Sequence, residues 1–270
     1  MKVAISGSNG FVASHLKNKF ADYVILKRND NEEEILRKLK NVDAVFNLAG
    51  APIIKRWSES YKKVLFSSRI ETTKKIVNAI NKSEVKHFIS TSAIGAYPDG
   101  SGFDESFTGY ANDFLGYLTQ QWEDEAKKCI KPTTIIRFGV VLGKDGGALA
   151  QMLLPFKFGL GGTIADGKMI MSWISIDDLI NIYEHILQNN ITGMLNATAP
   201  NPVSNKVFTK TLAKQLHRPT LFPLPKFVLK LLYGEGASVL TASKEVYPKR
   251  LLENGFKFQY EDINELLTNL

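Results

Sequence analysis

The seven residues Gly7-Ser8-Asn9-Gly10-Phe11-Val12-Ala13 constrain this chain more than any other stretch. They follow the apolar, β-branched run KVAIS at 2–6 and open a segment of helical period. A glycine loop between a buried strand and a helix is a dinucleotide fingerprint, and each glycine has a steric reason. Gly7 permits the tight turn. Gly10 lets the backbone approach a pyrophosphate seated on the helix N-terminal N–H groups. Ala13 stands where a third glycine is usual, at a close helix–strand contact that accepts a methyl. The expectation is a cofactor cradle, and its alternative is an ordinary glycine-rich turn.

The rest of the chain repeats the same rhythm. Runs at 23–27, 44–48, 87–91 and 133–138 read as buried parallel strands. Between them lie helical candidates at 11–20, 31–40, 59–82 and 110–129. Strand alternating with helix predicts an α/β fold: a Rossmann-like, doubly wound parallel sheet with right-handed crossovers and a smaller C-terminal lobe. A dinucleotide-binding domain is expected at 1–145, with 176–198 returning to its sheet as a helix and a strand. The smaller lobe takes 146–270, with a helix opening at Pro225 and another closing on Gly255.

Composition narrows the function classes. With 270 residues, 44% of them hydrophobic, the chain can bury a full core. Its 34 basic and 27 acidic residues leave +7, but no five basic residues run together and no nucleic-acid signature is present. Neither a nucleic-acid nor a membrane partner is expected, since no apolar run approaches a bilayer span. Cys129 is the single cysteine, which excludes an intrachain disulfide and fits a reducing, cytoplasmic setting. The four histidines lack metal-ligand spacing, so no metal is expected.

The end of the second strand chooses between the nicotinamide cofactors. An acidic side chain there bonds the ribose 2′-OH and repels a 2′-phosphate. This chain has Lys27-Arg28, and arginine offers a permanently charged planar fork for phosphate oxygens. NADP(H) is therefore favoured over NAD(H). Asp30, two positions on, stays open as a 2′-OH partner.

Longer motifs place the chain more narrowly. They include Asn47-Leu-Ala-Gly-Ala-Pro-Ile-Ile-Lys-Arg-Trp57, Ser68-Arg-Ile-Glu-Thr-Thr73 and Ser92-Ala-Ile-Gly-Ala-Tyr97. Arg137-Phe-Gly-Val-Val-Leu-Gly143 and Pro248-Lys-Arg-Leu-Leu-Glu-Asn-Gly-Phe256 continue the series. Together they resemble the extended short-chain dehydrogenase/reductase superfamily, in its NAD-dependent epimerase/dehydratase-like "epimerase family protein" branch. The resemblance runs over essentially the whole chain, including that branch's own extension from about residue 219. It implies that Gly7, Ser8, Asn9, Gly10, Phe11 and Val12 wrap the pyrophosphate and Arg28 meets the adenosine phosphate. It further implies that Leu48, Ala49 and Gly50 line the cofactor, while Thr91 and Ser92 approach the nicotinamide. A homodimer through the helices at 59–82 and 110–129 is left open.

One part of the superfamily pattern is missing. The usual Tyr-x-x-x-Lys pair moves the proton, yet Tyr117 has Gln121 four residues on, and Tyr110 has Phe114. Aligning the usual downstream glutamate with Glu123 puts the pair on Leu115 and Thr119. Forming tyrosinate at pH 7 from a phenol of pKa about 10 costs about 4 kcal/mol, a cost the lysine normally reduces. With Ser92 orienting the substrate, the proton is expected from Tyr97, Glu105 or solvent. The alternatives are a strand-end hydroxyl capping backbone at Ser92 and a solvated acidic loop at Asp104-Glu105. The expected function is an NADP(H)-dependent oxidoreductase or epimerase of a small carbonyl or hydroxyl compound. Its rival is a catalytically reduced NADP(H)-binding sensor or regulatory protein.

Overall fold

The computed structural model describes residues 1–220 and 223–269. It opens with β1 (Val3–Ser6), α1 (Phe11–Lys19), β2 (Tyr23–Leu26), α2 (Glu32–Lys38) and β3 (Ala44–Asn47). Then come α3 (Glu59–Phe66), a widened π-type turn (Ser67–Glu71), α4 (Thr72–Asn81) and β4 (His87–Ala93). The chain continues through β5 (Gly100–Phe103), α5 (Phe114–Ala126), β6 (Thr133–Phe138), β7 (Val140–Gly143) and α6 (Gly147–Lys157). β8 (Ile170–Met171), β9 (Trp173–Ser175), α7 (Ile176–Asn189) and β10 (Gly193–Ala197) follow. The remainder is β11 (Val203–Ser204), α8 (Asn205–Gln215), α9 (Lys226–Tyr233), α10 (Ser238–Thr241), β12 (Lys244–Val246), α11 (Lys249–Glu253) and α12 (Ile263–Thr268).

Six strands form one all-parallel sheet in the order β10-β6-β4-β3-β1-β2. The strand order reverses between β1 and β3, and in open α/β sheets the crevice above such a reversal is where ligands bind. Both faces are covered. Val3, Ile5, Phe46 and Ile89 pack on one side with α1 and α7; Ala4, Val45, Phe88 and Ile135 pack on the other with α2, α4 and α5. Strands buried on both faces need continuous apolar runs, which is why alternation was absent from the sequence. A second sheet, β11-β8-β12-β5, and the pair β7-β9 build the rest.

Local chemistry sets the helix ends. Asn31 and Glu34 close a reciprocal capping box on α2, whose first turn holds three glutamates. α5 begins at Phe114, four residues later than the sequence pattern indicates, because the Asp113 side chain accepts from the Gly116 amide and caps it there. The single helix expected over 59–82 is interrupted by the widened turn, and Pro225 caps α9 from just outside it. Gly255 does take a positive φ of 76° after α11. Among the described residues, no helix is long and apolar enough to cross a membrane.

Candidate functional site

Above the β1/β3 reversal lies a cleft of about 610 Å³. Ser6, Gly7, Ser8, Asn9 and Gly10 form one wall, and Leu48, Ala49, Gly50, Ala51 and Pro52 form the other. Lys27, Arg28 and Asp30 close one end, beside Thr72, Lys75 and Ile76 from α4. Eight of the sequence-selected cofactor residues thus meet in one place: Gly7, Ser8, Asn9, Gly10, Arg28, Leu48, Ala49 and Gly50.

The two walls touch where Gly7 has φ +67° and the Gly10 amide donates to the Gly7 carbonyl at 2.9 Å. A Cβ on Gly7 would sit 2.5 Å from the Leu48 carbonyl oxygen, so no other residue fits. Such a loop, running straight into α1 with amides free of side-chain caps, fits a dinucleotide's diphosphate. Side chains hold the opposite wall. Ser6 Oγ donates to Asn47 Oδ1 at 2.7 Å and accepts from the Leu48 amide, while Ser68 Oγ accepts from the Ala51 amide at 3.0 Å.

At the end of the cleft beside β2, Asp30 is buried, accepts from the Lys27 amide at 2.6 Å and pairs with Lys38. Burial would raise its pKa, but the bonds from Lys38 and the Lys27 amide outweigh that and hold it below the usual carboxylate value. Asp30 is committed to closing its own loop, whereas Arg28 is exposed on the cleft.

Three other cofactor candidates turn their side chains elsewhere. The Phe11 ring lies where Cβ atoms on Gly143, Gly146 and Gly147 would fall, within 2.2–3.0 Å. Val12 packs against the core. Thr91 Oγ1 faces Tyr183 OH at 3.3 Å, on the face of β4 opposite Ser92. Phe11 and Val12 are left with their backbone at the start of α1.

At the end of β4 the polar groups are engaged with one another. Ser92, 1% exposed, donates to Glu123 Oε1 at 2.6 Å. Arg137 grips the same carboxylate with Nε and Nη2 at 2.7 and 2.8 Å, and Tyr110 donates to its Oε2 at 2.7 Å. Burial pulls the Arg137 pKa down, yet Glu123 more than restores it and the guanidinium stays above its ordinary value. Leu115 and Thr119 pack beside Gly95, three residues after Ser92, 3.5 and 3.8 Å from where a Cβ on Gly95 would sit. Thr119 Oγ1 is turned back onto the carbonyls of Leu115 and Gly116. Tyr117 points to solvent, stacked on Phe66.

The two other proton candidates are occupied as well. Tyr97 is fully buried and its hydroxyl lies 2.9 Å from Asn196 Oδ1 and 3.0 Å from the Asp104 carbonyl. Burial raises its pKa despite Arg137 over the ring. Glu105 accepts from the amides of Asn196 and Arg250 at 2.8 and 3.2 Å, tying its loop to β10 and α11. Burial pushes its carboxyl up in spite of those bonds. Trp57 braces the loop before α3 through the Ile53 carbonyl and Phe114, and Arg56 bonds the Leu231 carbonyl. Among the described residues, no cluster of three or more His, Cys, Asp or Glu is placed to hold a metal.

Sequence reasoning missed Ser68 and Lys75 in the cleft and the Glu123–Arg137 pair. Thr72 and Lys75 are three apart on one helix face, which was a readable signal. The pair joins a helix to a strand 14 residues away, and nothing local announces it.

Comparisons with known proteins agree with this geometry. A model described as the NAD dependent epimerase/dehydratase family matches residues 3–197. The chain belongs to that family. A second model, a domain of unknown function (DUF1731), matches residues 224–270. The Arabidopsis thaliana "Epimerase family protein SDR39U1 homolog, chloroplastic" is 37% identical, over 99% of this chain and 86% of its own length. Bacillus subtilis YfhF, also named an epimerase family protein, is 34% identical over 100% and 98%. A crystal structure of the human epimerase family protein SDR39U1 with NADPH superimposes with a TM-score of 0.92 at 31% identity, covering 100% and 98%. A Bacillus cereus UDP-glucuronic acid 4-epimerase structure with NAD, at 18% identity and TM-score 0.79, shares the fold.

Proposed function

We propose that this protein holds NADP(H) in the β1/β3 cleft and acts as a reductase of a small carbonyl compound, taking its proton from solvent. The observation that carries the cofactor half is the division of labour at the second strand. Asp30 is spent on Lys38 and the Lys27 amide, while Arg28 is left on the cleft. The human relative crystallised with NADPH supports the same choice. When bound, the nicotinamide supplies a hydride. The chain's own part is to cradle the diphosphate on the Gly7–Gly10 loop, to admit a 2′-phosphate beside Arg28, and to fix the Leu48–Ala51 wall through Ser6 and Ser68.

The preference for reduction over epimerisation rests on the engagement of the candidate bases within the protein. Epimerisation through an oxidised intermediate begins by removing a hydroxyl proton. Ser92, Tyr97 and Glu105 are each bonded into the protein, and Leu115 and Thr119 offer no base. Reduction needs only a donor, and water serves. A cytoplasmic location and a small-molecule substrate belong to this same reading.

A second reading has its own support. The engagement of Ser92, Tyr97 and Glu105 with protein partners is what a sensor that binds NADP(H) without turnover would show. The test is oxidation of NADPH by the purified protein across a panel of aldehydes, ketones and quinones, beside titration of the cofactor. Turnover with any member supports the reductase. Tight NADPH binding with no turnover selects the sensor.

A further inference from the structure

We propose that residues 226–241 of the C-terminal extension form a strap, and that its docking on the loop after β3 sets the affinity of the β1/β3 cleft for its cofactor. This rests on the cofactor reading above and gives the extension a part in it. The strap comprises α9, a tight 3-10 turn (Gly234–Ala237) and α10. None of its residues lines the cleft. Its contacts fall instead on Lys55–Trp57, just past the Leu48–Pro52 wall. Gly236 is buried so close to this loop that a Cβ there would lie 2.2 Å from the Lys55 carbonyl oxygen and 3.1 Å from the Trp57 ring. Arg56 Nη1 donates to the Leu231 carbonyl at 2.9 Å, and Lys62 of α3 pairs with Glu235 at 2.7 Å. Val239 packs on the apolar cluster that contains Trp57 and Trp122.

The loop needs such grips. From Gly50 to Trp57 a single backbone–backbone bond is present among the described residues, from the Lys55 amide to the Ile53 carbonyl at 3.0 Å. A loop without a ladder of its own takes its position from whatever holds it. Its near end is fixed by Ser68 on the Ala51 amide and by Tyr61, whose hydroxyl donates to the Pro52 carbonyl at 2.6 Å. Its far end is fixed by the strap and by the Trp57 indole on the Ile53 carbonyl. The strap itself is lightly held: α9 buries Leu229 alone, α10 buries no side chain, and Phe227, Leu231 and Leu232 are exposed. A segment with so few buried apolar contacts opens at low free-energy cost. It therefore has two states, docked and open, and only the docked one holds the far end of the wall. By linkage, the factor by which the docked strap raises cofactor affinity is the factor by which bound cofactor favours the docked strap.

Hydrogen exchange of the full chain, without and with saturating NADPH, tests this beside calorimetric titration of NADPH and NADH. Bound NADPH should slow exchange of the amides in 226–241 by about five-fold or more, although the strap does not touch the cleft. Exchange in α12, which the same extension bonds to α8 through Asn264 and Thr211, should stay as it was. Gly236→Ala pushes the Lys55 carbonyl away, so it should weaken NADPH and NADH alike by about five- to a hundred-fold and abolish the slowing. Arg56→Met, which loses the bond to Leu231, should do the same more mildly. Unchanged exchange in 226–241 of the unaltered chain saturated with NADPH overturns the proposal and leaves the cofactor reading standing. Equal slowing of α12 means general stabilisation and overturns it too, as does unaltered affinity in a folded Gly236→Ala. Should Gly236→Ala not fold, Arg56→Met and the exchange of the unaltered chain decide. If the unaltered chain binds neither cofactor, both readings fall together.

Discussion

The ends of β1/β3 and of β4/α5 are built from similar parts, a strand end facing a helix, yet they solve opposite problems. At the first, the Gly7–Gly10 loop and the cations Lys27, Arg28 and Lys75 face an open cleft. At the second, Ser92, Glu123, Arg137 and Tyr110 satisfy one another, with Leu115 and Thr119 of α5 beside Gly95. Satisfied polar groups stabilise; unsatisfied ones bind. The contrast teaches that one fold can leave one strand end open as a cleft and close another into a buried, self-satisfied polar cluster.

The sharpest break of the comparison is Gly7→Ala. The added methyl meets the Leu48 carbonyl in a left-handed backbone, so calorimetry should show NADPH binding reduced by about a hundred-fold or more. An unchanged Kd would mean the walls need not touch. Glu123→Ala strikes the other region. Stripping Arg137 and Ser92 of their shared acceptor should cost about 3–5 kcal/mol in denaturant unfolding while folded protein still binds NADPH. Loss of binding with little loss of stability would show the two regions are one site.

Arg28→Ala comes next, with NADPH weakened by about ten- to a hundred-fold and NADH unaffected. Equal losses for both would move the 2′-phosphate elsewhere, with Lys75 the next residue on the cleft. The smallest effect belongs to Glu105. Its folded pKa is raised, so its protonated form is the better fit: the stabilisation is complete below the unfolded value near 4.5 and is lost as pH rises through the folded value. Glu105→Gln should flatten that part of the Tm-against-pH curve above pH 4.5 and change stability little elsewhere. A wild-type curve already flat there would place Glu105 in solvent.

The fold and the glycine loop that walls the cleft were legible because both are local. KVAIS followed by Gly7–Gly10 states a strand, a turn and a helix start within a dozen residues, and the continuous apolar runs state a sheet covered on both faces. Lys27-Arg28 was readable too, but the engagement of Asp30 was not, since it depends on Lys38 reaching back from α2. The absence of the Tyr–Lys pair was plain in Gln121, Leu115 and Thr119. What replaced it was hidden, because Tyr110, Glu123 and Arg137 come together only through the packing of α5 on β6.

The widened turn at Ser67–Glu71 carries one more consequence, a mechanical one. A π-type turn accommodates one residue beyond the α-helical count, and each helical residue turns the axis by about 100°. α3 and α4 are therefore two segments of one rod set out of phase, with Ile76 and Ile80 gripping the sheet while Ser68 and Arg69 grip the Gly50–Ala51 wall. Removing a single residue from 67–71 would bring the segments back into phase and swing one set of grips off its target. The helix would survive such a deletion, and the wall it steadies would not.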